Sequence, residues 1–147
     1  MAVTSSANAV WNGNLADGSG RVSSGSSEHL RDLPISWAAR TEDPAGRTTP
    51  EELLAAAHAS CFSMALSADL ARAGFTAEQL DVRAEVTFDK VEAGWSVVSS
   101  QLTVRGRVPG ADAEAFEAAA QKAKDGCPIS RAIKGNVEMS VVATLDS

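Results

Sequence analysis

The sequence of 147 residues predicts an α+β fold with the element order β-β-α-β-β-α-β. Two segments have the composition and the start and stop signals of helices. Pairs of short segments that alternate apolar and polar residues stand beside them and predict hairpins. Such hairpins build antiparallel-type sheets, unlike the strict strand–helix alternation of a doubly wound parallel sheet. The length suits one core, so we expect residues 1–147 to form a single domain.

The first part of the chain predicts a β-hairpin followed by a long ordered loop. Residues 8–13 (NAVWNG) and 20–24 (GRVSS) are short segments with polar and glycine boundaries, and ADGSG supplies the turn between them. Residues 25–47 contain two prolines and two glycines and show no sustained period. We therefore predict a loop there, with one short strand near LPISWA.

A long central helix follows, and its start and end are both marked. Thr49 fits the N-cap and Pro50 the first helical position. We expect the helix to end near Ala73, because Gly74 can take the left-handed conformation that closes a helix. Apolar residues cover most directions around its axis, which predicts burial on several sides. Polar residues interrupt the apolar tract, so we interpret it as a core helix and expect no membrane span.

Two long strands, a second helix and a last strand complete the predicted fold. Residues 80–108 alternate apolar and polar side chains on both sides of the turn EAG. Residues 110–126 have helical composition, and a short helical turn begins at Cys127 and Pro128. Residues 136–145 alternate again and predict the closing strand. The apolar stripe of the second helix consists of Phe116, Ala119, Ala120 and Ala123.

Charge and composition exclude several classes of function. The chain carries 13 Lys and Arg against 19 Asp and Glu, a net charge of −6, which argues against binding nucleic acid. Its N-terminus has no basic segment followed by an apolar one, so we expect no secretory signal and a cytoplasmic protein. The two cysteines and two histidines lack metal-ligand spacing, and no glycine-rich phosphate loop is present. We expect neither a metal nor a nucleotide cofactor.

Cys61 lies in the middle of the central helix, and two interpretations remain open. A free cysteine in an apolar helix is typical of a small core residue. A reactive thiol must ionise, and because burial raises the pKa of a thiol, reactivity would need a nearby cation such as Arg40 or Arg47. Glu51 could hold an arginine by a bidentate ion pair. Its position also fits a favourable charge in the first helical turn.

Cys127 and His58 also allow more than one interpretation. Cys127 precedes a proline at a predicted helix start, where backbone N–H groups make it locally the more acidic thiol, but it also fits a buried cap residue. The two cysteines could form a reversible disulfide if their Cα atoms come within ~7 Å. His58 lies three residues before Cys61 and invites a cysteine–histidine pair. Without an orienting partner, we favour a hydrogen-bonded core histidine.

Three segments in this order, TTPEELLAAAHASCFSMALS, DKVEAGW and KAKDGCPISRAIKGNVE, resemble the osmotically inducible protein C (OsmC) branch of the OsmC/Ohr family of organic hydroperoxide reductases. The similarity extends from about Trp11 to the C-terminus. It implies an intertwined homodimer whose long central helices pack between sheets, with active sites at the subunit interface. It also implies that Cys61 attacks the peroxide and becomes a sulfenic acid, and that Cys127 condenses with it. The resemblance therefore assigns the attack to Cys61, although the local surroundings favour Cys127 as the more acidic thiol.

The resemblance also assigns the groups that activate Cys61. Glu51 matches the glutamate of the PEEL segment, and WAARTED selects Arg40. The related Ohr branch has its arginine in the first hairpin, where this chain has Arg21. The resulting hypothesis is a thiol-dependent peroxidase that reduces organic, fatty-acid-like hydroperoxides to alcohols. Its expected reductant is a small dithiol of the dihydrolipoamide type or a lipoylated protein, with no metal, haem or flavin. The alternative is a non-enzymatic protein that binds a lipid-like apolar ligand.

Overall fold

The computed structural model describes residues 1–146, which divide into two compact units. The first unit is Met1–Pro50 and the second begins at Glu51. Each unit contains one three-stranded sheet, and helices accompany both sheets. This mixture confirms the predicted α+β class. The single domain stays a prediction.

The first unit confirms the predicted hairpin and the short strand after it. Strands β1 (Ala7–Asn12), β2 (Ser19–Ser24) and β3 (Leu33–Ile35) form an antiparallel sheet in that order. A short helix, α1 (Trp37–Thr41), lies in the segment that was predicted as loop. It is too short to show a helical period, but Ser36 caps it by accepting a hydrogen bond from an N–H of its first turn.

The central helix has the predicted bounds to within one residue at its end. Helix α2 spans Pro50–Arg72. Gly74 follows with φ of +91°, a conformation that residues with a Cβ atom rarely adopt. The Phe75 N–H donates to the Leu70 carbonyl at 2.9 Å, so the chain reverses out of the helix with its last carbonyls partly satisfied.

The burial of α2 differs from the prediction. Phe62, Leu66 and Leu70 lie one turn apart and are fully buried in the core of the second unit. On another face the Met64 side chain is 68% exposed. The prediction that the helix is buried on several sides is therefore not met within one chain, because no other element of the second unit covers Met64.

Helix α2 is also the one described helix that is long and apolar enough to cross a membrane. The expectation that polar residues would break the apolar tract too early for a span was wrong by this criterion. Length and composition alone do not distinguish a span from a core helix. The packing of one α2 face into the core of the second unit favours a core helix.

The second sheet departs from the predicted antiparallel type in its last strand. Strands β4 (Gln79–Val91) and β5 (Gly94–Arg107) pair antiparallel around the predicted turn, but β6 (Glu138–Leu145) pairs parallel to β5. Parallel neighbours need a crossover, which helices α3 (Ala113–Gly126) and α4 (Pro128–Ile133) supply. Alternation within a strand predicts its faces and not the direction of its neighbour.

Helix α3 confirms its predicted apolar stripe. Its buried residues are the four that the sequence placed on one face, Phe116, Ala119, Ala120 and Ala123. They join the residues of α2 and the sheet in one core that also contains Cys127. The core of the second unit therefore includes residues of α2, of α3 and of the start of α4.

Candidate active site

The two cysteines of the chain meet in the second unit. The Cys61 thiol, in the middle of α2, lies within hydrogen-bonding reach of the Cys127 thiol. Both are free, Cys61 half-buried and Cys127 fully buried. Among residues 1–146, no three His, Cys, Asp or Glu side chains cluster closely enough to hold a metal ion.

Cys127 occupies the junction of two helices, as its sequence context predicted. Its N–H donates to the Ala123 carbonyl at 2.9 Å, which caps the C-terminus of α3. Its Sγ accepts a hydrogen bond from the Ser130 N–H at 3.3 Å, which caps the N-terminus of α4, and Pro128 takes the first helical position. The two helix ends together fix the position of the sulfur.

The surroundings of Cys61 work against its ionisation within the second unit. Burial is the largest cause that raises the pKa of the Cys61 thiol, and the neighbouring Cys127 raises it further. The Ile129 N–H and the positive charge of Arg131 act in the opposite direction. This confirms the sequence argument that mid-helix burial raises the pKa of this thiol. Sequence reasoning missed Arg131, although it lies one turn of α4 after Cys127.

A buried chain of hydrogen bonds leads away from Cys127. The Cys127 Sγ and the Ser130 Oγ are 3.0 Å apart, and the Ser130 Oγ lies 2.8 Å from Nε2 of His58. Nδ1 of His58 lies 2.7 Å from the Ser100 Oγ. All four side chains are fully buried. His58 is thus a hydrogen-bonded core residue, as favoured from the sequence, and burial lowers its pKa so that the neutral ring is preferred.

No sequence motif predicts the hydrogen-bond partners of His58. Ser100 and Ser130 lie 42 and 72 residues away along the chain. Serines at such separations carry no pattern that links them to a histidine. Only the packing of β5 and α4 against α2 brings the three side chains together.

Glu51 lies in the first turn of α2 and is buried, with 7% of its surface exposed. The ten residues to Cys61 correspond to ~15 Å along the helix axis. A side chain between them would be needed to connect the two, as the sequence argument required. The role of Glu51 stays a prediction.

The candidate arginines belong to the first unit. The guanidinium carbon of Arg40, in the last turn of α1, lies 5.7 Å from the centre of the Trp37 ring, a cation–π geometry. Nη1 of Arg21, in β2, donates to the Asp32 carbonyl at 2.7 Å. Arg47 is exposed in the loop before α2. The assignment of Arg40, with Arg21 as the second choice, stays a prediction.

An apolar cavity of about 230 Å³ adjoins Arg40 in the first unit. Two of the three tryptophans, Trp11 and Trp37, form part of its wall. Trp95 stacks instead on Phe88 across the β4–β5 hairpin, with ring centres 5.1 Å apart. The complete lining is Trp11, Leu15, Ile35, Ser36, Trp37, Arg40 and Pro50.

The fold and the paired thiols define an α+β protein with two adjacent cysteines, one on a central helix and one at a helix junction. Residues 42–142 match the family model described as OsmC-like protein, and the chain belongs to this family. Peroxiredoxin OsmC of Escherichia coli (strain K12) is 42% identical over 139 residues, which cover 95% of this chain and 96% of that protein. The resemblance identified from the sequence is confirmed.

Solved structures support the same fold. The organic hydroperoxide resistance protein OhrB of Bacillus subtilis superposes with a TM-score of 0.73 at 25% identity, covering 96% of this chain and 98% of that one. An organic hydroperoxide resistance protein from Elizabethkingia anophelis gives a TM-score of 0.74 at 24% identity, covering 99% and 100%. At that identity the second comparison supports the fold alone.

Proposed function

We propose that this protein is a thiol-dependent peroxidase that reduces organic hydroperoxides to alcohols. The observation that carries the proposal is the contact between Cys61 and Cys127, which are remote in sequence and adjacent in the fold. The names of the relatives support it, since one is called a peroxiredoxin and others organic hydroperoxide resistance proteins.

The proposed cycle uses only the two sulfurs and an external reductant. The Cys61 thiolate attacks the terminal oxygen of the hydroperoxide, the O–O bond breaks, and the alcohol leaves after taking a proton. Cys61 is then a sulfenic acid. Cys127 attacks the Cys61 sulfur, an S–S bond forms, and the hydroxyl group leaves as water. A dithiol of the dihydrolipoamide type reduces the disulfide and restores both thiols, so the cycle needs no metal, haem or flavin.

The first step requires a positive charge near Cys61, because burial raises the pKa of its thiol. We propose Arg40 as the source of that charge and Glu51 as the carboxylate that holds the guanidinium. This rests on the match of WAARTED and PEEL to the family segments. Arg21 is the alternative.

We propose that the working form is a homodimer in a reducing cytoplasm. The resemblance to the OsmC branch implies the dimer, and Met64, 68% exposed in the middle of α2, is the position at which we test it. Two free cysteines fit a reducing compartment. Met64→Asp should shift the sedimentation coefficient towards that of a monomer. Val142→Asp, at a 62% exposed position on β6, is the matched control and should leave it unchanged.

Peptide mapping by mass spectrometry tests the peroxidase proposal. The reduced protein is mixed with about one equivalent of cumene hydroperoxide, or of hydrogen peroxide as control. We expect a rapid Cys61–Cys127 disulfide with the organic peroxide and a slower one with hydrogen peroxide. If both thiols remain reduced with either oxidant, the proposal fails and the binding of a lipid-like ligand becomes the leading alternative.

Two variants separate the roles of the thiols. Cys61→Ser should abolish turnover, because the attacking sulfur is lost. Cys127→Ser should accumulate a Cys61 sulfenic acid that dimedone traps. Turnover by Cys61→Ser with Cys127 alone would reverse the roles.

A further inference from the structure

We propose that Ser130 and His58 form a proton relay that removes the thiol proton of Cys127 when Cys127 closes the disulfide on oxidised Cys61. The inference rests on the proposed peroxidase function. It concerns a step after the peroxide has reacted, and it assigns a role to two residues that the attack of Cys61 on the peroxide does not use.

The need for a relay follows from the burial of Cys127. The thiolate is the nucleophile in disulfide formation, and an ordinary thiol is mostly protonated at neutral pH. Cys127 is fully buried, so bulk water does not reach its sulfur to take the proton. The groups that favour the thiolate of Cys61, the Ile129 N–H and Arg131, are donors and supply no base.

Two contacts provide a continuous path from the Cys127 sulfur to an imidazole, and a third holds the far side of the ring. The Sγ of Cys127 lies 3.0 Å from the Ser130 Oγ, which lies 2.8 Å from Nε2 of His58. Nδ1 of His58 lies 2.7 Å from the Ser100 Oγ. Ser100 can therefore accept the Nδ1 hydrogen and leave Nε2 of the neutral ring as an acceptor that faces Ser130.

The relay has two proton arrangements that need no movement of heavy atoms. Before transfer, the Cys127 S–H donates to Ser130, and the Ser130 O–H donates to Nε2 of His58. After transfer, Nε2–H donates to Ser130, and the Ser130 O–H donates to the thiolate. The Ser130 N–H, 3.3 Å from the sulfur, stabilises the thiolate as well. One residue thus contributes two donors to the reacting sulfur.

The step balances in atoms and electrons. The Cys127 thiolate attacks the Cys61 sulfur, the S–S bond forms, and the S–O bond of the sulfenic acid breaks. The Cys127 sulfur is oxidised and the Cys61 sulfur is reduced. The proton on Nε2 of His58 returns through the Ser130 hydroxyl to the hydroxide that leaves the half-exposed Cys61, which gives water and restores the neutral ring. The sum is one thiol and one sulfenic acid converted to one disulfide and one water. Because burial favours the neutral ring, His58 holds the proton only briefly.

Rapid-quench mass spectrometry of Ser130→Ala and His58→Gln tests the relay by separating two rates. Oxidation of Cys61 by cumene hydroperoxide should proceed as in the unaltered protein. Closure of the disulfide should slow by about 100-fold in either variant, which is typical for the loss of a general base. Gln preserves hydrogen bonding at position 58 but cannot take the proton. The double variant should be no slower than either single one, because the two residues act as a unit.

Ser140→Ala, at an exposed position on β6, is the matched control, and both rates should be unchanged. Closure at the unaltered rate in Ser130→Ala would overturn the relay and leave the peroxidase proposal intact. If the unaltered protein shows no oxidation of Cys61 at all, the proposed function itself fails and the relay fails with it.

A measurement on the unaltered protein covers the case in which the variants do not fold. Nitrogen-15 NMR of the reduced protein should show His58 as a neutral ring with its hydrogen on Nδ1. A neutral ring with its hydrogen on Nε2 would overturn the relay, because that atom would then have no lone pair to accept the proton. His29→Gln allows the two histidine signals to be assigned.

Discussion

The buried position of His58 predicts a specific loss of stability in mild acid. In the folded protein burial lowers the pKa of this imidazole, whereas in the unfolded chain it titrates near its ordinary value of about 6.5. Below that pH the His58 imidazole binds a proton in the unfolded state, whereas in the folded state the neutral ring is favoured. The free energy of unfolding therefore falls as the pH falls below this value, and the contribution of His58 is complete above it.

The size of the effect has an upper limit. If folded His58 stays neutral, lowering the pH from about 7.5 to about 5.5 removes at most ~1.4 kcal/mol from the free energy of unfolding. We expect the loss in the free energy of unfolding to come close to this limit, because His58 is fully buried and both ring nitrogens already contact serine hydroxyls. A second proton would need a hydroxyl to turn from donor to acceptor in a site without access to water.

Urea denaturation at both pH values, at one protein concentration, measures this loss. The unaltered protein should lose up to ~1.4 kcal/mol more than His58→Gln over this interval. His29→Gln, which changes an exposed histidine, should behave as the unaltered protein. An equal pH dependence in the unaltered protein and in His58→Gln would show that the ring titrates alike in both states, and the argument would be refuted.

Two further predictions concern the arginines and the glycines. If Arg40 supplies the proposed charge that offsets burial, Arg40→Gln should raise the pH midpoint of iodoacetamide alkylation of Cys61 and Arg21→Gln should not; the reverse result would select Arg21. Gly106→Ala should cost about 1–3 kcal/mol in urea denaturation, because its Cβ atom would come 2.5 Å from a phenylalanine ring atom on α3. Gly126→Ala meets open space and should be neutral or stabilising by up to about 1 kcal/mol; a comparable loss in both glycine variants would contradict the steric argument.

Local signals predicted most of the secondary structure. Pro50 and Gly74 mark where α2 begins and ends because the ring of proline and the missing Cβ of glycine act on the backbone at their own positions. Alternation predicted β4 and β5, and the helical period predicted the buried stripe of α3, because one face of each element has to leave water. Helix α1 was missed, since five residues are too few to show a period.

The site was predicted only in part. Features that depend on neighbours along the helix were predicted, and features that depend on contacts through space were not. The sequence placed Cys127 at a helix N-cap and predicted that burial raises the pKa of Cys61, since both depend on neighbours within a helical turn. On local grounds it favoured Cys127 as the more acidic thiol, whereas the family motifs assign the attack on the peroxide to Cys61, and which thiol attacks stays a prediction. It missed Arg131, which acts on Cys61 through space.

What the sequence determined by itself is therefore most of the elements, all but the short α1, and the position of each thiol within its element. Tertiary structure alone decided that Cys61 and Cys127 are adjacent, that β6 runs parallel to β5, and that His58 reaches Cys127 through Ser130. These are relations between side chains that are remote along the chain. They arise because the core packs α2, α4 and the sheet together, and no periodicity or local signal in the sequence encodes such a distance.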